Sequence, residues 1–552
     1  MKLLDGNTFK GMLKSASANL LNNKKRIDAL NVFPVPDGDT GTNMSMTFES
    51  GAKAANEVYS DNLNEIARAL SKGLLMGARG NSGVITSQIF RGIYQHLENN
   101  NLATVKEVSE AFVNGGVIAY KAIMKPVEGT ILTVIREGAD ATNKYVDENP
   151  DIDIVEFFEK LVANMEIALN HTPDLLPVLK EVGVVDSGGA GLLTITEGML
   201  AYLKGRPCEI DENIKDDYQS AALELNNDEF GYCTEFILRL SDDWLPIFDE
   251  NKLRKALAEI GNSLVVVRDD DLVKVHVHTL HPGNALNIGQ RYGEFIKLKI
   301  ENMQEQHTAI EQGATSDATF ATNNHMQMTK PKLKKYALIA VGAGRGIENL
   351  FREFRCDYIV SGGQTMNPST EDFVAAIKSL YAEHIIILPN NSNIIMAAKQ
   401  AKEVMDDYDI QVIETKSIQE GFAALSMFNP EDELQNNLDN MNEAYQAMAT
   451  GSITFAIKDT SFEGVDIKEG DFIAMTSKKI IASNKDRLTT IKALIDKMAD
   501  NDDKELMTIY VGEDGSLDEA EIIEAYINEH TEFEVEVVEG NQPVYSYLFG
   551  LE

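Results

Sequence analysis

The sequence predicts three successive domains: an all-α helical domain, an α+β domain of the ferredoxin-like type, and an α/β domain with a mostly parallel sheet. Apolar residues recur at helical spacing in the first part of the chain, and strands and helices then follow in the order βαββαβ. Beyond residue 332 single strands alternate with helices. We therefore expect domains at 1–205, 228–303 and 332–552, with a polar linker at 304–331.

The first domain is predicted to carry its chemistry in its loops. Apolar side chains at Val84, Ile89 and Ile93, and throughout residues 105–123 and 152–169, have the spacing of buried helix faces. Glycine-containing connections separate these helices, at residues 34–43, 77–83, 126–130 and 186–191. Functional side chains are often placed on loops that a rigid scaffold holds, so these connections are the candidate sites.

The two later domains are predicted from strand alternation and turn residues. In the middle domain, strands are expected at 232–240, 263–268, 272–279 and 294–300, and helices at 251–260 and 284–292. In the last domain, strands are expected at 336–341, 358–360, 385–388 and 410–414, with helices beginning at Ile347, Glu371 and Asn393. Strands at 506–511 and 533–538 around a helix at 519–528 indicate that the acidic end of the chain is folded.

Composition limits the partners and the compartment. The 552 residues carry 50 Lys and Arg against 87 Asp and Glu, a formal net charge of −37. This charge repels phosphate backbones and anionic lipid, so we expect no nucleic-acid partner. No apolar run of about 18 residues occurs, so we expect no stable membrane insertion. The three scattered cysteines, Cys208, Cys233 and Cys356, favour a reducing cytoplasmic location over a disulfide framework.

The segment NVFPVPDGDTGTNM, from Asn31 to Met44, is the sharpest local signal, and it opens a helix. Asp37 and Asp39 offer two carboxylates to one cation, and the free amides at the start of the next helix offer an anion site beside it. Mg²⁺ with phosphate is the predicted ligand, and an Asp-Gly turn that only caps a helix is the alternative. Calcium is disfavoured, because an EF-hand loop starting at Asp37 would place Phe48 where its final Glu belongs.

A second glycine loop, GARGNSGVI, begins at Gly77 and also leads into a helix. Arg79 could neutralise phosphate charge there, while Asn81, Ser82 and backbone amides could hold phosphate oxygens. A plain turn between two helices is the alternative, although such a turn seldom needs three glycines. No Walker A sequence occurs, so an ordinary P-loop is excluded.

Cys233, His276 and His278 form a second candidate constellation, in the middle domain. The first and third strands of a ferredoxin-like sheet are neighbours, and residues two apart on a strand share a face, so the three residues converge. One Cys and two His suit Zn²⁺, whereas simple packing or hydrogen bonding of the imidazoles is the alternative. The fourth ligand remains open among Glu235, His281, His307 and water.

Three turns of the last domain follow strands and begin helices, at residues 342–346, 361–363 and 390–393. The first reads GAGRG and lacks the GxGxxG spacing, so it is a weak dinucleotide signal. Together the turns would set several helix N-termini along one sheet edge. An anion or partner site and ordinary βα turns are both compatible with this pattern.

The motifs PVPDGDTGTNM, GARGNSGVI, PVEGTIL and DSGGAGL resemble the nucleotide-binding (L) subunit of the dihydroxyacetone kinases, over roughly residues 1–205. With the two later domains and the ending QPVYSYLFG, the whole chain is similar to the ATP-binding subunit of bacterial fatty acid kinase. The resemblance implies an antiparallel helical barrel that holds ADP, and in this chain ATP as substrate, with two Mg²⁺ in its end loops, and a zinc site in the middle domain. It also implies a DegV-like last domain with a carrier-docking or pseudo-carrier role.

The resemblance also implies roles for individual residues. Asp37 and Asp39 take the positions of metal-binding aspartates, while the family's first metal aspartate falls near Asn31. With Arg79, which the second glycine loop itself indicates, they form the expected catalytic set. Phosphate and nucleoside contacts are implied for Thr40, Thr42, Asn43, Asn81 and Ser82, and for Thr130, Asp186 and Gly188, respectively.

The expected reaction is ATP-dependent phosphorylation of a fatty acid enclosed in a DegV-like carrier protein, giving an acyl phosphate. A fatty carboxylate is already ionised at neutral pH, so the reaction needs positioning and charge neutralisation rather than a general base. The alternatives are a dihydroxyacetone-type small-ketone kinase and a non-enzymatic nucleotide-sensing scaffold. We also expect a homodimer. The last 53 residues, from Asp500 to Glu552, hold sixteen acids against one base, and we expect them to steer a carrier with a basic face.

Overall fold

The structure is a computed structural model of the chain. It describes residues 1–31, 38–123, 125–211, 232–241, 244–245, 248, 250–258, 262–269, 272–279, 282–302, 333–363, 366–456, 459–462, 465–477, 479–500 and 504–552. Contacts group Met1–Ile210 with Thr329–Glu552 in one compact unit, and Asp211–Met328 forms a second unit. The expected linker, 304–331, and the candidate metal ligand Asp37 lie outside the described residues.

The N-terminal part of the first unit is helical, as the periodicity predicts. Its helices are α1 (Gly6–Asn22), α2 (Lys24–Leu30), α3 (Thr40–Asn56), α4 (Leu63–Met76), α5 (Gly80–Leu97), α6 (Val105–Ala122), α7 (Ile131–Glu148), α8 (Ile154–Leu175), α9 (Pro177–Val182) and α10 (Ser187–Leu203). A short antiparallel pair, β1 (Leu3–Leu4) and β2 (Ala103–Thr104), joins the start of the chain to the start of α6. The helical periodicity does not predict this pair.

Side-chain caps fix where several of these helices begin, and one apolar core holds them together. Thr104 and Glu107 form a reciprocal capping box at the start of α6, which satisfies amides that have no partner within the helix. In the core, the rings of Phe112, Phe157 and Phe158 pack against one another with centroids at most 6.1 Å apart.

A glycine allows α5 and α6 to pack closely. A Cβ atom added at Gly115 would lie 2.8 Å from the backbone oxygen of Ile89 in α5. A Cβ atom added at the next residue, Gly116, would meet nothing closer than 3.7 Å. The two neighbouring glycines of α6 therefore differ in packing while sharing the same helical backbone.

We predict that Gly115→Ala destabilises the helical domain by about 1–3 kcal/mol, because the new methyl group meets a backbone atom that cannot move away cheaply. Gly116→Ala is the matched control and should be neutral or stabilising by up to about 1 kcal/mol, since alanine has the higher helix propensity. Denaturant unfolding followed by the helical circular dichroism signal measures both. Equal stability of the two variants would contradict the packing argument.

The second unit contains the predicted ferredoxin-like order of elements. They are β3 (Tyr232–Leu240), α11 (Glu250–Ala258), β4 (Asn262–Asp269), β5 (Leu272–Thr279), α12 (Pro282–Gly289) and β6 (Gly293–Asn302). The strands pair antiparallel in the order β4-β5-β3-β6. Phe236, Leu238, Val273, Val275 and Leu253 are among the residues of its buried core.

The C-terminal part of the first unit begins with the predicted α/β layer. Its elements are β7 (Lys334–Gly342), α13 (Arg345–Glu353), β8 (Tyr358–Ser361), α14 (Thr370–Ser379), β9 (Ala382–Leu388), α15 (Ile395–Val404) and β10 (Asp409–Val412). The four strands are parallel, in the order β10-β9-β7-β8. The prediction of a mostly parallel sheet is confirmed for this layer.

A second, mixed sheet completes this part of the chain. The remaining elements are α16 (Ile418–Ser426), α17 (Leu434–Ala447), β11 (Ala449–Phe455), β12 (Thr460–Phe462), β13 (Val465–Ile467), β14 (Phe472–Thr476), β15 (Ile480–Asn484), α18 (Arg487–Met498), β16 (Leu506–Val511), α19 (Leu517–His530), β17 (Glu534–Glu539) and β18 (Tyr547–Leu551). The six-stranded sheet has the order β15-β14-β11-β18-β16-β17. Because β16, α19 and β17 belong to it or pack on it, the acidic end of the chain is folded, as predicted.

Within the described ranges, no helix is long and apolar enough to cross a membrane.

Candidate functional site

Four helix N-termini meet at one end of the helical domain. The Ser187 hydroxyl, which begins α10, donates a hydrogen bond of 3.2 Å to the Thr40 hydroxyl, which begins α3. The Ile131 amide at the start of α7 donates to Asp186, which caps α10. At the start of α5, Gly80 has φ +58° and lies so close to Asn43 of α3 that a Cβ atom would be 2.5 Å from the Asn43 amide nitrogen. The positive ends of four helix dipoles therefore point to one region, which suits an anion.

Asp28 is a residue of this region that sequence reasoning missed. Its carboxylate accepts hydrogen bonds from the backbone amide of Thr42 at 3.0 Å and from the Thr42 hydroxyl at 2.9 Å. Burial raises the pKa of Asp28 above its ordinary value, and the bonds from Thr42 oppose that rise. Asp28 lies 14 residues before its partner, and no local motif links them, so the sequence contains no signal for this pair.

Asp28 accepts a hydrogen bond from a backbone amide at the start of α3, a role that the residue at the N-cap position usually has. That residue is Asp39, whose side chain makes no capping hydrogen bond to α3. The Asp39 carboxylate instead accepts a hydrogen bond from the side-chain amide of Asn367. Its use for a ligand at the helix end would thus not cost α3 its cap.

The second glycine loop contacts the C-terminal domain. The Arg79 guanidinium donates to the backbone oxygen of Asn367 at 2.9 Å and lies 3.7 Å from the Asp372 carboxylate. The Asn81 amide donates to the side-chain oxygen of Asn393 at 3.1 Å. Ser82 lies in the first turn of α5. Arg79 and Asn81, both expected at phosphates, are therefore engaged by the last domain in this structure.

Thr130, Asp186 and Gly188, which the sequence analysis expects at the nucleoside end, lie close together. Thr130 caps α7, and the Asp186 carboxylate accepts from the Gly189 amide at 2.7 Å. A Cβ atom at Gly188 would be 3.3 Å from the Cβ of Ile131, next to Thr130. Burial raises the pKa of Asp186 to about 6, although the two backbone amides that it accepts from lower it.

The donor set at the start of α3 fits a hard cation. The Asp39 carboxylate, the Thr40 hydroxyl and the Asn43 amide supply oxygen atoms of the kind that Mg²⁺ prefers. Asn31, which ends α2, lies beside this segment, since its backbone oxygen would be 3.7 Å from a Cβ atom at Gly38. Among the side chains that the structure describes, no three His, Cys, Asp or Glu residues come together as a metal-binding group. The side chains of Asp37 and of the expected zinc ligands are not among them.

The backbone register of the middle domain brings the expected zinc ligands to adjacent positions. Cys233 on β3 pairs with His278 on β5, and Glu235 pairs with His276. Residues directly opposite in an antiparallel pair have Cβ atoms about 4.5–5.5 Å apart. Of the candidates for a fourth ligand, Glu235 is thus placed by register, whereas His281 and His307 lie outside the described residues.

The three turns noted in the last domain line one cavity of about 450 Å³. Gly342 is the last residue of β7, Gly363 follows β8, and Asn391 follows β9. Residues of the second sheet, among them Thr450 and Thr476, close the other side. The cavity lies at the carboxyl ends of β7 and β9, where the strand order of the parallel sheet reverses, which is the usual ligand position in open α/β sheets.

Comparison with known proteins matches each part of the chain to a domain family. Residues 34–201 match the DAK2 domain, residues 229–310 match the FakA-like middle domain of the fatty acid kinases, and residues 337–552 match the FakA-like C-terminal domain. Protein YloV from Bacillus subtilis (strain 168) is 45% identical over 563 residues, which cover 100% of both chains. A protein from Staphylococcus epidermidis is 42% identical over 563 residues, covering 100% of this chain and 99% of its own.

Solved structures resemble parts of the chain more distantly. A DegV family protein from Corynebacterium glutamicum covers 40% of this chain and 97% of its own, with 14% identity and a TM-score of 0.32. The dihydroxyacetone kinase of C. freundii covers 40% of this chain and 48% of its own, with 13% identity and a TM-score of 0.29.

Fold and sequence together define a multidomain protein with a DAK2-like helical domain, a FakA-like middle domain and a FakA-like C-terminal α/β domain. The three family matches follow one another along the chain in this order, and relatives match it end to end. The chain belongs to the FakA-like family of fatty acid kinase proteins.

We predict that Asp186→Asn removes a pH dependence of stability between about pH 4 and pH 6. The pKa of Asp186 is about 6 in the folded protein against an ordinary value of 3.8, so the folded state binds this proton more tightly. The contribution of Asp186 to the free energy of unfolding therefore falls as the pH rises through that range. Asparagine can still cap α10 but does not titrate.

The measurement is the difference in unfolding free energy between wild type and variant at each pH. Asp153→Asn is a control of opposite sign, because the N-terminal ammonium group holds the pKa of Asp153 below its ordinary value. The stability that Asp153 contributes is lost as the pH falls below about 4. Parallel curves for wild type and Asp186→Asn would contradict the assignment.

Proposed function

We propose that the protein is the kinase subunit of a fatty acid kinase. It transfers the γ-phosphoryl group of ATP to the carboxylate of a fatty acid that a separate carrier protein presents. The observation that carries the proposal is the meeting of four helix N-termini around Asp39, in a domain that matches the DAK2 family. Family membership over the whole chain supports the fatty acid as acceptor.

The nucleotide is held at three places in this proposal. Asp39 and Asp37 bind Mg²⁺, and a second Mg²⁺ uses the Asn31 end of the same segment. The phosphates and the nucleoside are held by the residue groups expected from the sequence, with the helix amides adding donors at the phosphates. These groups are Thr40, Asn43, Asn81 and Ser82 for the phosphates, and Thr130, Asp186 and Gly188 for the nucleoside end.

Thr42 has a different role in the proposal from the one expected. Asp28 engages both the backbone amide and the hydroxyl of Thr42. We therefore assign Thr42 to positioning the start of α3 rather than to direct contact with a phosphate.

Transfer of the γ-phosphoryl group to a carboxylate requires no proton transfer. A carboxylate oxygen forms a bond to the γ-phosphorus while the bond from that phosphorus to the β–γ bridging oxygen breaks, and the products are the acyl phosphate and ADP. Mg²⁺ neutralises charge on the phosphates, and Arg79 contributes to this once its guanidinium faces them. A hydroxyl acceptor such as dihydroxyacetone would additionally need a group to take its proton.

The middle and last domains have separate roles in the proposal. Cys233, His276 and His278 hold Zn²⁺, with Glu235 or water as the nearest fourth ligand by register. The acidic C-terminal domain docks the carrier, since its last 53 residues hold sixteen acids against one base and would attract a basic face. The protein works as a homodimer in the cytoplasm.

Asp37→Ala is expected to lower phosphoryl transfer by about 100-fold or more, because a ligand of the charge-neutralising cation is lost while the fold is kept. The assay gives the full-length protein ATP and carrier loaded with fatty acid, and measures ADP release and acyl phosphate. Asp39→Ala should behave alike. Asp140→Ala, which removes an exposed carboxylate on α7, is the control and should keep wild-type activity.

Activity of Asp37→Ala within a few-fold of wild type would refute the site assignment. Turnover of dihydroxyacetone, without turnover of the loaded carrier, would favour the small-ketone kinase. Nucleotide binding without transfer to either substrate would favour the sensing scaffold.

We predict about one Zn²⁺ per chain in the purified protein and its loss in Cys233→Ser combined with His278→Ala, because two of the three expected protein ligands are removed. Metal content is measured by mass spectrometry after dialysis. Cys208→Ser, which changes a cysteine outside the middle domain, is the control and should keep its zinc. Wild-type protein without zinc, or a double variant that retains it, would refute the zinc site.

A further inference from the structure

The C-terminal domain packs directly on the loop between α4 and α5. The Thr370 amide donates to the Ala78 backbone oxygen at 3.2 Å, and the side-chain amide of Gln400 donates to the Leu75 backbone oxygen at 2.6 Å. Ala78 belongs to the same buried apolar cluster as Phe373 of α14 and other residues of the parallel sheet layer. Both domains lie within one compact unit, so this contact is part of its packing.

Further polar contacts of this interface fall on three residues of the candidate nucleotide site. Asn367 donates its side-chain amide to the Asp39 carboxylate. Arg79 donates to the Asn367 backbone oxygen and faces the Asp372 carboxylate, 3.7 Å away. Asn81 donates to the side chain of Asn393 at 3.1 Å.

In these contacts, the groups of the C-terminal domain carry the same signs of charge as the parts of a magnesium nucleotide that would replace them. An N–H donor of Asn367 meets Asp39 where a cation would be held, and oxygen atoms of the C-terminal domain meet Arg79 and Asn81 where phosphate oxygens would be held. The Asn367 amide occupies one oxygen of the Asp39 carboxylate, so less of its acceptor capacity is left for Mg²⁺. The partial positive charge of that N–H would also repel a cation beside it. The Asp372 carboxylate beside Arg79 would also repel a phosphate.

The interface is well packed but not fully satisfied. Asn367 is 2% exposed, yet its side-chain oxygen has no hydrogen-bond partner among the residues that the structure describes. The buried Thr370 hydroxyl likewise has none within the described part of the chain. Buried polar atoms without partners cost free energy, so the docked arrangement is less stable than its contact area alone suggests. Such an interface can separate when a ligand takes the charged groups that it uses.

We propose that the C-terminal domain and a magnesium nucleotide compete for Asp39, Arg79 and Asn81, so that nucleotide binding releases the docked domain. The inference rests on the proposed function, since it takes these residues as the nucleotide site. Because only undocked molecules bind nucleotide, the apparent nucleotide affinity is the intrinsic affinity multiplied by the undocked fraction. By linkage, bound nucleotide weakens docking to the same extent. Asn367 is thus the C-terminal residue that most directly sets the affinity of a site in another domain.

Asn367→Ala in the full-length protein tests the competition. The substitution removes the hydrogen bond to Asp39 but leaves the backbone oxygen that Arg79 uses. We expect Mg·ADP to bind about 3- to 10-fold more tightly, as weakening of a hydrogen bond to a charged group would allow. Asn393→Ala should change affinity in the same direction. Asn349→Ala, which alters an exposed asparagine on α13 whose side chain accepts from Arg352, is the control and should bind as wild type does.

Titration of each protein with a fluorescent ADP in the presence of Mg²⁺ gives the affinities, and circular dichroism checks that each variant is folded. Unchanged or weaker binding by Asn367→Ala would overturn the competition while leaving the nucleotide site intact. Absence of binding by the wild type would overturn the proposed function together with this inference. The two failures are therefore distinguishable.

Hydrogen exchange supplies a readout that does not depend on any variant. Saturating Mg·ADP should speed amide exchange in the segment around Thr370, because its hydrogen bond to Ala78 is released. Exchange in β16 and β17, which lie in the second sheet, should not change. Slower or unchanged exchange around Thr370 would overturn the inference.

Discussion

The meeting of four helix N-termini is the constraint on which the candidate site depends. Each helix brings amides without partners in its own first turn, and their partial positive charges repel one another when they are brought together. Local acceptors offset part of this cost: Asp28 serves α3, and Asp186 serves both α10 and the start of α7. These caps leave part of the positive charge of the helix N-termini uncompensated. Together with the Arg79 guanidinium, this charge makes the region favour an external anion.

The docked C-terminal domain compensates part of the charge of this region with groups of the same chain. Arg79 and Asn81 each meet an oxygen acceptor of that domain, and Asp39 meets a donor. Separation of the domains would remove these contacts from the Asp39 carboxylate and the Arg79 guanidinium, which lie at a partly buried boundary where lost polar contacts cost free energy. In the proposed competition, docking and nucleotide binding satisfy the same three side chains, so each weakens the other.

Local patterns explain which parts of the fold the sequence could predict. The strands at 232–240 and 272–279 are predicted to the residue, because alternation and flanking turn residues define both ends. The parallel layer of the last domain follows from its strand and helix alternation. The pair β1–β2 and the strand order of the six-stranded sheet could not be predicted, because each depends on segments far apart in sequence. The candidate site divides similarly: glycine motifs indicate Asp39, Arg79 and Asn81, whereas no motif indicates Asp28.

Asn367 shows the limit of sequence reasoning most clearly, because 328 residues separate it from Asp39 and the two share no motif. The contact between Asn367 and Asp39 also affects how partners bind the C-terminal domain. Consider a partner that binds the C-terminal surface around Asn367 and Asp372 only when that surface is undocked. By linkage, this partner raises the affinity for nucleotide, and nucleotide raises the affinity for the partner by the same factor. A carrier that used this surface would therefore meet a kinase already loaded with nucleotide more often than an empty one. The order of binding would then follow from a shared interface, without a separate regulatory site.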